Sequence, residues 1–511
     1  MFWTEELIQS LDKKKKQLVG DSWSTSGFGH IGSLRGAVIH EVAFKALKNA
    51  GFDVSYTFFM DDFDPMDGMP KFLDEEVYGK HLGEPLSMIP APEGKQSLAE
   101  YFAKDFDEAL KNAGVEAKIL WESGLYKKGK FNDVIKVALD NADRIREVYR
   151  KISGAKKPND WYPFHPICEK CGKIGSTKVY DWDGEKVSYK CDPNAAQWAK
   201  GCGYNGKISP FNGNGKLPWR VSWPARWKAL EITVEGEGKD HWSAGGSRGM
   251  ADVLAREIFD CEPPYDIRYD FFLIGGKKMS SSAGRGVTAR KMSEILPHEV
   301  LSFLLAQAPR KTIEFDPKGD TVPRIYDSYD RAREAYFGRI DFPDLGKAFL
   351  VCQTQKPKDG YRMRFMKAAY AIQMPRVNIS DLAAEEKGNK LTVSEKNDLQ
   401  ERIVYAKKWL DEFAPEDYVF EVQESLPTVQ LNSEQKNFLK ILGEKLEHSD
   451  WTGQTIHTTI HDLRKQTQIQ PKEAFQAIYL IFLGKDSGPQ AGWLLSSLEK
   501  DFALKRIKEA L

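Results

Sequence analysis

Leu34, Val38, Val42 and Ala46 recur at i, i+4 spacing, with Ala43 and Leu47 beside them, and the run closes at Asn49-Ala50-Gly51. That period predicts an amphipathic helix ending on a glycine stop. Residues 52–60, rich in aromatic and β-branched side chains, then predict a strand running into Asp61-Asp62-Phe63-Asp64-Pro65. The same reading gives a helix over 98–114, a short strand over 117–121 and a long charged helix over 131–153. Later it gives a strand over 230–234, a helix over 247–259 and a strand over 268–274. Residues 1–22 read as a polar helix carrying the run Lys13 to Lys16. A lysine run is a solvated face or an RNA contact, and the pattern leaves both open.

From residue 291 the strand signals fade. Helical periodicity follows over 291–308, 329–337, 362–373, 393–413, 433–447, 455–467 and 471–483, while the polar stretch 378–392 reads as loop. The first part is therefore a parallel α/β arrangement, whose ligands collect at the carboxyl ends of the strands. The last part is all-helical. Between the two halves of the α/β part, residues 155–215 are rich in Gly, Pro, Asn and Lys and carry four of the six cysteines, which marks an inserted module.

A length of 511 residues implies about three or four domains. Charged residues make up 29% of the chain but balance at 74 against 74, so any nucleic-acid surface has to come from local clustering. Six cysteines, and no charged-then-apolar leader at Met1-Phe2-Trp3-Thr4, fit a reducing cytoplasm. No apolar run approaches the ~20 residues of a membrane span. The expectation is a soluble cytoplasmic protein acting as a monomer.

The candidate chemistry lies in five places. Ser26-Gly27-Phe28-Gly29-His30-Ile31-Gly32-Ser33 is a glycine-rich turn holding one histidine and opening the first helix. The first amides of a helix lack internal partners and favour an anion, and His30 can donate to a phosphate oxygen. Gly275-Gly276-Lys277-Lys278-Met279-Ser280-Ser281-Ser282 is a mobile-loop pattern offering point charges and hydroxyl donors. Asp61, Asp62 and Asp64, at a strand end, suit a cationic substrate or a metal-bound nucleotide, or are ordinary loop acids. Pro218 to Trp227 holds three tryptophans and two arginines, a packing cluster or a wall for an ammonium-bearing side chain. Gly238-Lys239-Asp240-His241 follows, where Asp240 can accept from ribose hydroxyls and His241 can line a pocket.

Within the inserted module, Cys168 and Cys171 form a Cys-x2-Cys knuckle followed by Gly172. Cys191 and Cys202 come later with ten residues between them, a wide spacing for a second knuckle. Structural zinc on Cys168, Cys171, Cys191 and Cys202, with His165 able to replace one ligand, stands against free thiols or a redox pair.

The glycine-histidine turn and the Lys-Met-Ser-Ser-Ser loop together resemble the paired HIGH and KMSKS signatures of class I aminoacyl-tRNA synthetases. The full series, adding Met60-Asp61-Asp62-Phe63-Asp64, the tryptophan stretch, Gly238 to His241 and Phe475 to Lys485 with Gly488-Pro489, resembles the archaeal-type class I lysyl-tRNA synthetases in order and spacing. The resemblance implies a Rossmann catalytic domain with a zinc-ribbon-like insertion, followed by an all-α domain. Residues 1–110 would be the first half of the catalytic domain and 111–215 the connective insertion. Residues 216–355 would be the second half with the KMSSS loop and a stem-contact region, and 356–511 the anticodon-binding domain.

It further implies that ATP with Mg²⁺ activates L-lysine to lysyl-adenylate, which is transferred to the terminal adenosine of tRNA(Lys). His30, Lys278 and Ser280 would be catalytic. Gly29, His30, Gly32, Ser33, Asp240, Lys278, Met279, Ser280, Ser281 and Ser282 would bind ATP, and Gly27, Asp61, Asp62, Asp64, Trp223 and His241 would frame the lysine. Ser33 stands where the class has a second histidine, Ser281 where it has a second lysine, and Thr25 where a proline is usual. The stretch from Glu93 to Tyr101 carries two glutamates, and no second metal is implied. Two other readings remain at this stage, a class I synthetase for glutamate and a tRNA-binding homologue without aminoacylation.

Overall fold

The computed structural model describes residues 2–243, 246–278 and 288–511. It divides into two compact units, one made of residues 1–315 and 332–356, the other of 316–331 and 357–511.

The first unit is built on a five-stranded sheet. Its strands are β1 (Gln17–Ser24), β2 (Val54–Asp61), β3 (Lys118–Trp121), β4 (Val234–Gly238) and β5 (Tyr265–Tyr269). Their order is β5-β4-β1-β2-β3, and every pairing is parallel. The order runs outward in both directions from β1, so the chain reverses between β1 and β4. A crevice opens there at the carboxyl ends of the strands. In-register pairing from Gln17 against Val54 to Ser24 against Asp61 brings the ends of β1 and β2 level. Val19 against Val234 does the same for β1 and β4.

β1 corrects the sequence reading, which gave residues 1–22 as one helix. The helix covers only Trp3–Ser10, and residues 17–24 are the central strand. Asp21, Ser22 and Ser24 interrupt the apolar signal expected of a buried strand, and all three line the crevice. β3 lies inside the 111–215 span assigned to the insertion, yet it pairs with β2 as the edge of the main sheet.

Other predicted elements split at identifiable points. The helix over 131–153 is two, Asn132–Asp140 and Ala142–Ser153, divided at Asn141, whose Nδ2 donates to the Val137 carbonyl at 2.9 Å. The strand over 268–274 is also two. β5 ends at Tyr269, and Phe272–Ile274 belongs to a separate sheet. The Arg35 guanidinium holds the break, with Nη1 donating to the carbonyls of Asp270 at 2.6 Å and Phe271 at 2.9 Å.

The helix after the glycine turn spans Ile31–Asn49, as the periodicity predicts. Its apolar face, with Leu34, Val38, Ile39, Val42 and Leu47, is buried. The cysteine module carries a three-stranded antiparallel sheet of Thr177–Trp182, Val187–Cys191 and Asn205–Ile208. A two-stranded pairing of His165–Pro166 with Gly215–Lys216 lies at its root.

The second unit packs helices Ser433–Glu447, Gly453–Thr467, Pro471–Leu483 and Lys500–Glu509 around Phe438, Leu442, Ile460, Ile478 and Phe482. The loop expected over 378–392 contains a helix, Ile379–Lys387. Asn378 caps it by accepting from the amides of Ser380 and Asp381, and Gly388 ends it with φ of +75°. Both are ordinary helix boundary residues. Among the described residues no helix is long and apolar enough to cross a membrane.

Candidate active site

Two cavities adjoin at the carboxyl ends of β1, β4 and β5, and they share Asp21, Ser22, Trp23, His241 and Tyr269 as a common wall. One, of about 250 Å³, takes in His30, Gly32, Ser33, Arg35, Asp240 and Asp270. The other, of about 330 Å³, takes in Asp61, Asp64, Glu122, Lys216, Trp223 and Arg226.

The smaller cavity is shaped largely by backbone. His30 caps the helix Ile31–Asn49, its Nδ1 accepting from the Ser33 amide at 3.2 Å. An accepting Nδ1 puts the proton of neutral imidazole on Nε2. Gly32 is required by that cap, because a Cβ there would stand 2.8 Å from His30 Cε1. Gly29 is required by packing, because its Cβ would stand 2.2 Å from the Phe106 ring, which itself packs against Trp23 at 4.4 Å. The Gly29 carbonyl accepts from the Ala289 amide at 2.8 Å, so the segment following the serine-rich loop is anchored to the glycine turn.

Lys277–Lys278 pairs antiparallel with Leu273 and Ile274 across a turn at Gly275 and Gly276, whose φ values are +57° and +70°. Two consecutive positive φ values make the tight hairpin that glycines favour. Met279, Ser280, Ser281 and Ser282 lie outside the described residues.

Arg35, which the sequence reading passed over, is 1% exposed and also donates to the carbonyls of Pro309 and Lys311, each at 2.9 Å. Burial lowers its pKa to about 10, so it remains a cation at the back of this cavity.

The larger cavity is shaped by charge. Arg226 Nη2 lies 2.6 Å from Asp61 Oδ1 and 3.2 Å from Glu122 Oε1. Lys216 Nζ lies 2.6 Å from Glu122 Oε2 and 2.7 Å from Asp64 Oδ1. Further carboxylates stand on β1 and β4. Asp21 Oδ2 lies 3.3 Å from the His40 ring, Glu235 accepts from Trp227 Nε1, and Glu237 lies 2.9 Å from Arg248. Six acids and two cations thus line this cavity. Burial raises the carboxyls of Asp61, Glu235 and Glu237 above their ordinary range, and the neighbouring cations reduce that rise without cancelling it. Glu237 Oε1 and Arg226 Nη1 are buried without hydrogen-bond partners among the described residues.

The tryptophan stretch forms the helix Trp219–Leu230. Trp227 is core, whereas Trp219 and Trp223 stack at 5.6 Å beside His241 and face the cavity. Asp62 stands apart, its two oxygens accepting from the Ser123 amide at 2.8 Å and the Ser123 hydroxyl at 2.5 Å. Neither Asp62 nor Gly27 is among the residues lining the two cavities. Glu122, Lys216, Glu235 and Glu237 complete the charged wall with Arg226 of the tryptophan stretch, and those four were not singled out by sequence. The only signal was the acidic alternation in Val234-Glu235-Gly236-Glu237-Gly238.

The four cysteines of the module converge, with all sulfurs within 4.8 Å of one another. Cys168 and Cys202 are 3.7 Å apart and Cys171 and Cys191 are 3.6 Å apart. Tetrahedral zinc with ~2.3 Å bonds sets its sulfurs about 3.8 Å from each other, so this donor set fits the ion. The wide spacing between Cys191 and Cys202 is a hairpin, closed where the Cys191 amide donates to the Tyr204 carbonyl at 2.8 Å. His165 is not in the cluster. Its Nδ1 lies 3.0 Å from the Thr177 carbonyl.

Known proteins resemble the chain along its length. The family described as tRNA synthetases class I (K) matches residues 1–362, and the anticodon binding domain family matches residues 397–511. A lysine–tRNA ligase of Methanosarcina barkeri is 35% identical over 543 residues, covering 99% of this chain and 97% of that one. A lysine–tRNA ligase of Thermoplasma acidophilum is 31% identical over 515 residues, covering 100% and 99%. Among solved structures, a glutamate tRNA ligase from Elizabethkingia meningosepticum aligns at a TM-score of 0.45 and 13% identity, covering 97% of this chain and 99% of that one.

Proposed function

The chain belongs to the class I (K) tRNA synthetases, and from that premise we propose that it is a lysine–tRNA ligase working in the two adjoining cavities. The observation that carries this reading is the contrast between them, a backbone-built anion site beside a strongly acidic pocket with a shared wall. Glutamate would need the opposite balance of charge in the larger cavity. A cationic amino acid placed there meets the α-phosphorus of ATP placed in the smaller one across that wall.

The lysine carboxylate attacks the α-phosphorus and pyrophosphate departs with its Mg²⁺. Lysyl-adenylate is the product, and the protein's part is positioning and charge stabilisation. His30, with its proton on Nε2, donates to a phosphate oxygen, and the amides near Gly32 face the same charge. Asp240 accepts from the ribose hydroxyls. Lys278, Met279, Ser280, Ser281 and Ser282 bind the triphosphate, Lys278 supplying a point charge to the leaving group. Trp223 and His241 flank the lysine, and Asp61 and Asp64 belong to the acidic floor beneath it. Asp62 acts through Ser123, and Gly27 acts through the turn.

The lysyl group then passes to the terminal adenosine of tRNA(Lys), which the helical unit holds by its anticodon. Zinc on Cys168, Cys171, Cys191 and Cys202 would fix the inserted module without entering the chemistry. One equivalent of zinc per chain is expected in freshly purified protein, falling in Cys168→Ser, and metal-free wild-type protein contradicts that assignment.

Charging of tRNA(Lys) with labelled lysine tests the function. Lysyl-tRNA should accumulate with lysine and not with glutamate. Charging with glutamate would assign the other specificity, and tRNA binding without charging would make this a non-catalytic homologue.

A further inference from the structure

Five charges in the larger cavity alternate along a chain, Asp64, Lys216, Glu122, Arg226 and Asp61, with every consecutive pair between 2.6 and 3.2 Å. Four of the five side chains are at most 7% exposed, and Asp64, at the cavity end, is 21% exposed. The ammonium in this chain belongs to Lys216, which enters from the root of the cysteine module, where Gly215–Lys216 pairs with His165–Pro166. It has the same chemistry as the side chain of the proposed substrate. Two carboxylates that hold one ammonium at 2.6 and 2.7 Å would hold another equally well if the first were gone.

We infer that Lys216 is a specificity-determining residue: its ammonium occupies the Asp64–Glu122 pair so that the ammonium of the amino acid cannot. The inference rests on the lysine reading of this cavity. A free lysine captured at that pair would be held by the wrong acids, in a register where its carboxylate misses the phosphate. With the pair filled, the acids left to attract the substrate are the other carboxylates of the cavity. They are Asp21 on β1, which also lines the smaller cavity, and Glu235 and Glu237 on β4. Arg226 plays the corresponding part for Asp61 and the second oxygen of Glu122, but as a broad guanidinium it is no copy of the substrate.

The test replaces the resident cation. Lys216→Met should bind ethylammonium, followed by calorimetry, at least about tenfold more tightly than wild type, because an empty dicarboxylate site is created. This readout does not depend on catalysis, so it stands even if lysine activation fails in wild type. In lysine-dependent pyrophosphate exchange the same variant should show kcat and KM falling together, the signature of unproductive binding. Adding Glu122→Gln should reverse the fall in KM. A merely structural lysine would instead raise KM or lower the melting temperature, with no gain in ethylammonium affinity, and that result overturns the inference. Lys216→Ala, which empties the same site with a smaller side chain, decides the matter if Lys216→Met is insoluble. It should gain ethylammonium affinity too, and no gain would again overturn the inference.

Discussion

The two cavities of the catalytic unit share a wall yet are built on opposite principles. The smaller cavity is organised around a helix entry, where Gly29, His30, Gly32 and Ser33 open the helix Ile31–Asn49, with residues of β1, 238–241 and 269–272 closing it. The larger cavity takes its shape from side-chain charges on separate segments, with Asp21, Asp61, Glu122, Lys216, Arg226 and Glu235 far apart in the chain. The first offers the same electrostatics whatever its neighbours do, because helix amides carry fixed dipoles. The second exists only while every partner is present, because each buried charge is stabilised by another. Damage to the first should therefore appear in rate, and damage to the second in stability and amino-acid affinity.

The largest effect expected from this contrast is on the charged side. Arg226→Met leaves Asp61 and Glu122 buried without that cation and should destabilise the protein by about 3–5 kcal/mol, read by denaturant unfolding. A variant as stable as wild type would mean that the ion pairs are not structural.

On the backbone side, His30→Ala should lower the rate of adenylate formation roughly a hundred- to a thousandfold, as loss of one donor to developing charge does. Its stability should fall by only about 1 kcal/mol, the value of a lost helix cap. Near-normal exchange would remove His30 from the reaction. Lys278→Ala should slow the same step at least about tenfold with little change in melting temperature, and an unchanged rate would separate the lysine-serine loop from the nucleotide.

The smallest effect lies outside both cavities and serves as their control. Burial disfavours the charged form of Glu395, but hydrogen bonds from Lys387 and the amides of Thr392 and Tyr361 outweigh it, lowering its pKa from 4.5 to about 2. A lowered folded pKa gives stability that is full above 4.5 and fades as pH falls toward 2. Thermal unfolding of Glu395→Gln should lose that part of the acid slope while lysine activation at neutral pH stays as in wild type. An unaltered slope would show that Glu395 does not anchor the helical unit.

The same contrast explains what could be read from the sequence. The glycine-histidine turn was legible because its chemistry lies in consecutive residues and its helix has a clear period. So were the helices Val393–Glu412, Ser433–Glu447 and Pro471–Leu483, whose apolar residues recur at helical spacing, even though Glu395, Arg402 and Gln435 are buried among them. β1 was not, because Asp21, Ser22 and Ser24 serve the crevice and break the apolar pattern of a central strand. Glu122 and Lys216 were not, because each looks like an ordinary surface charge until folding brings the two together. The helix Ile379–Lys387 was missed for a different reason: its boundary residues Asn378 and Gly388 were present, but only one of its side chains, Ala383, is fully buried.

Pyrophosphate exchange into ATP by the pure wild-type protein, measured with lysine and with glutamate, before and after adding tRNA(Lys), tests the central claim most directly. Exchange that requires lysine and ignores glutamate is the predicted result. Exchange with glutamate, or none with lysine in either condition from folded protein, would contradict the assignment of the acidic cavity to lysine.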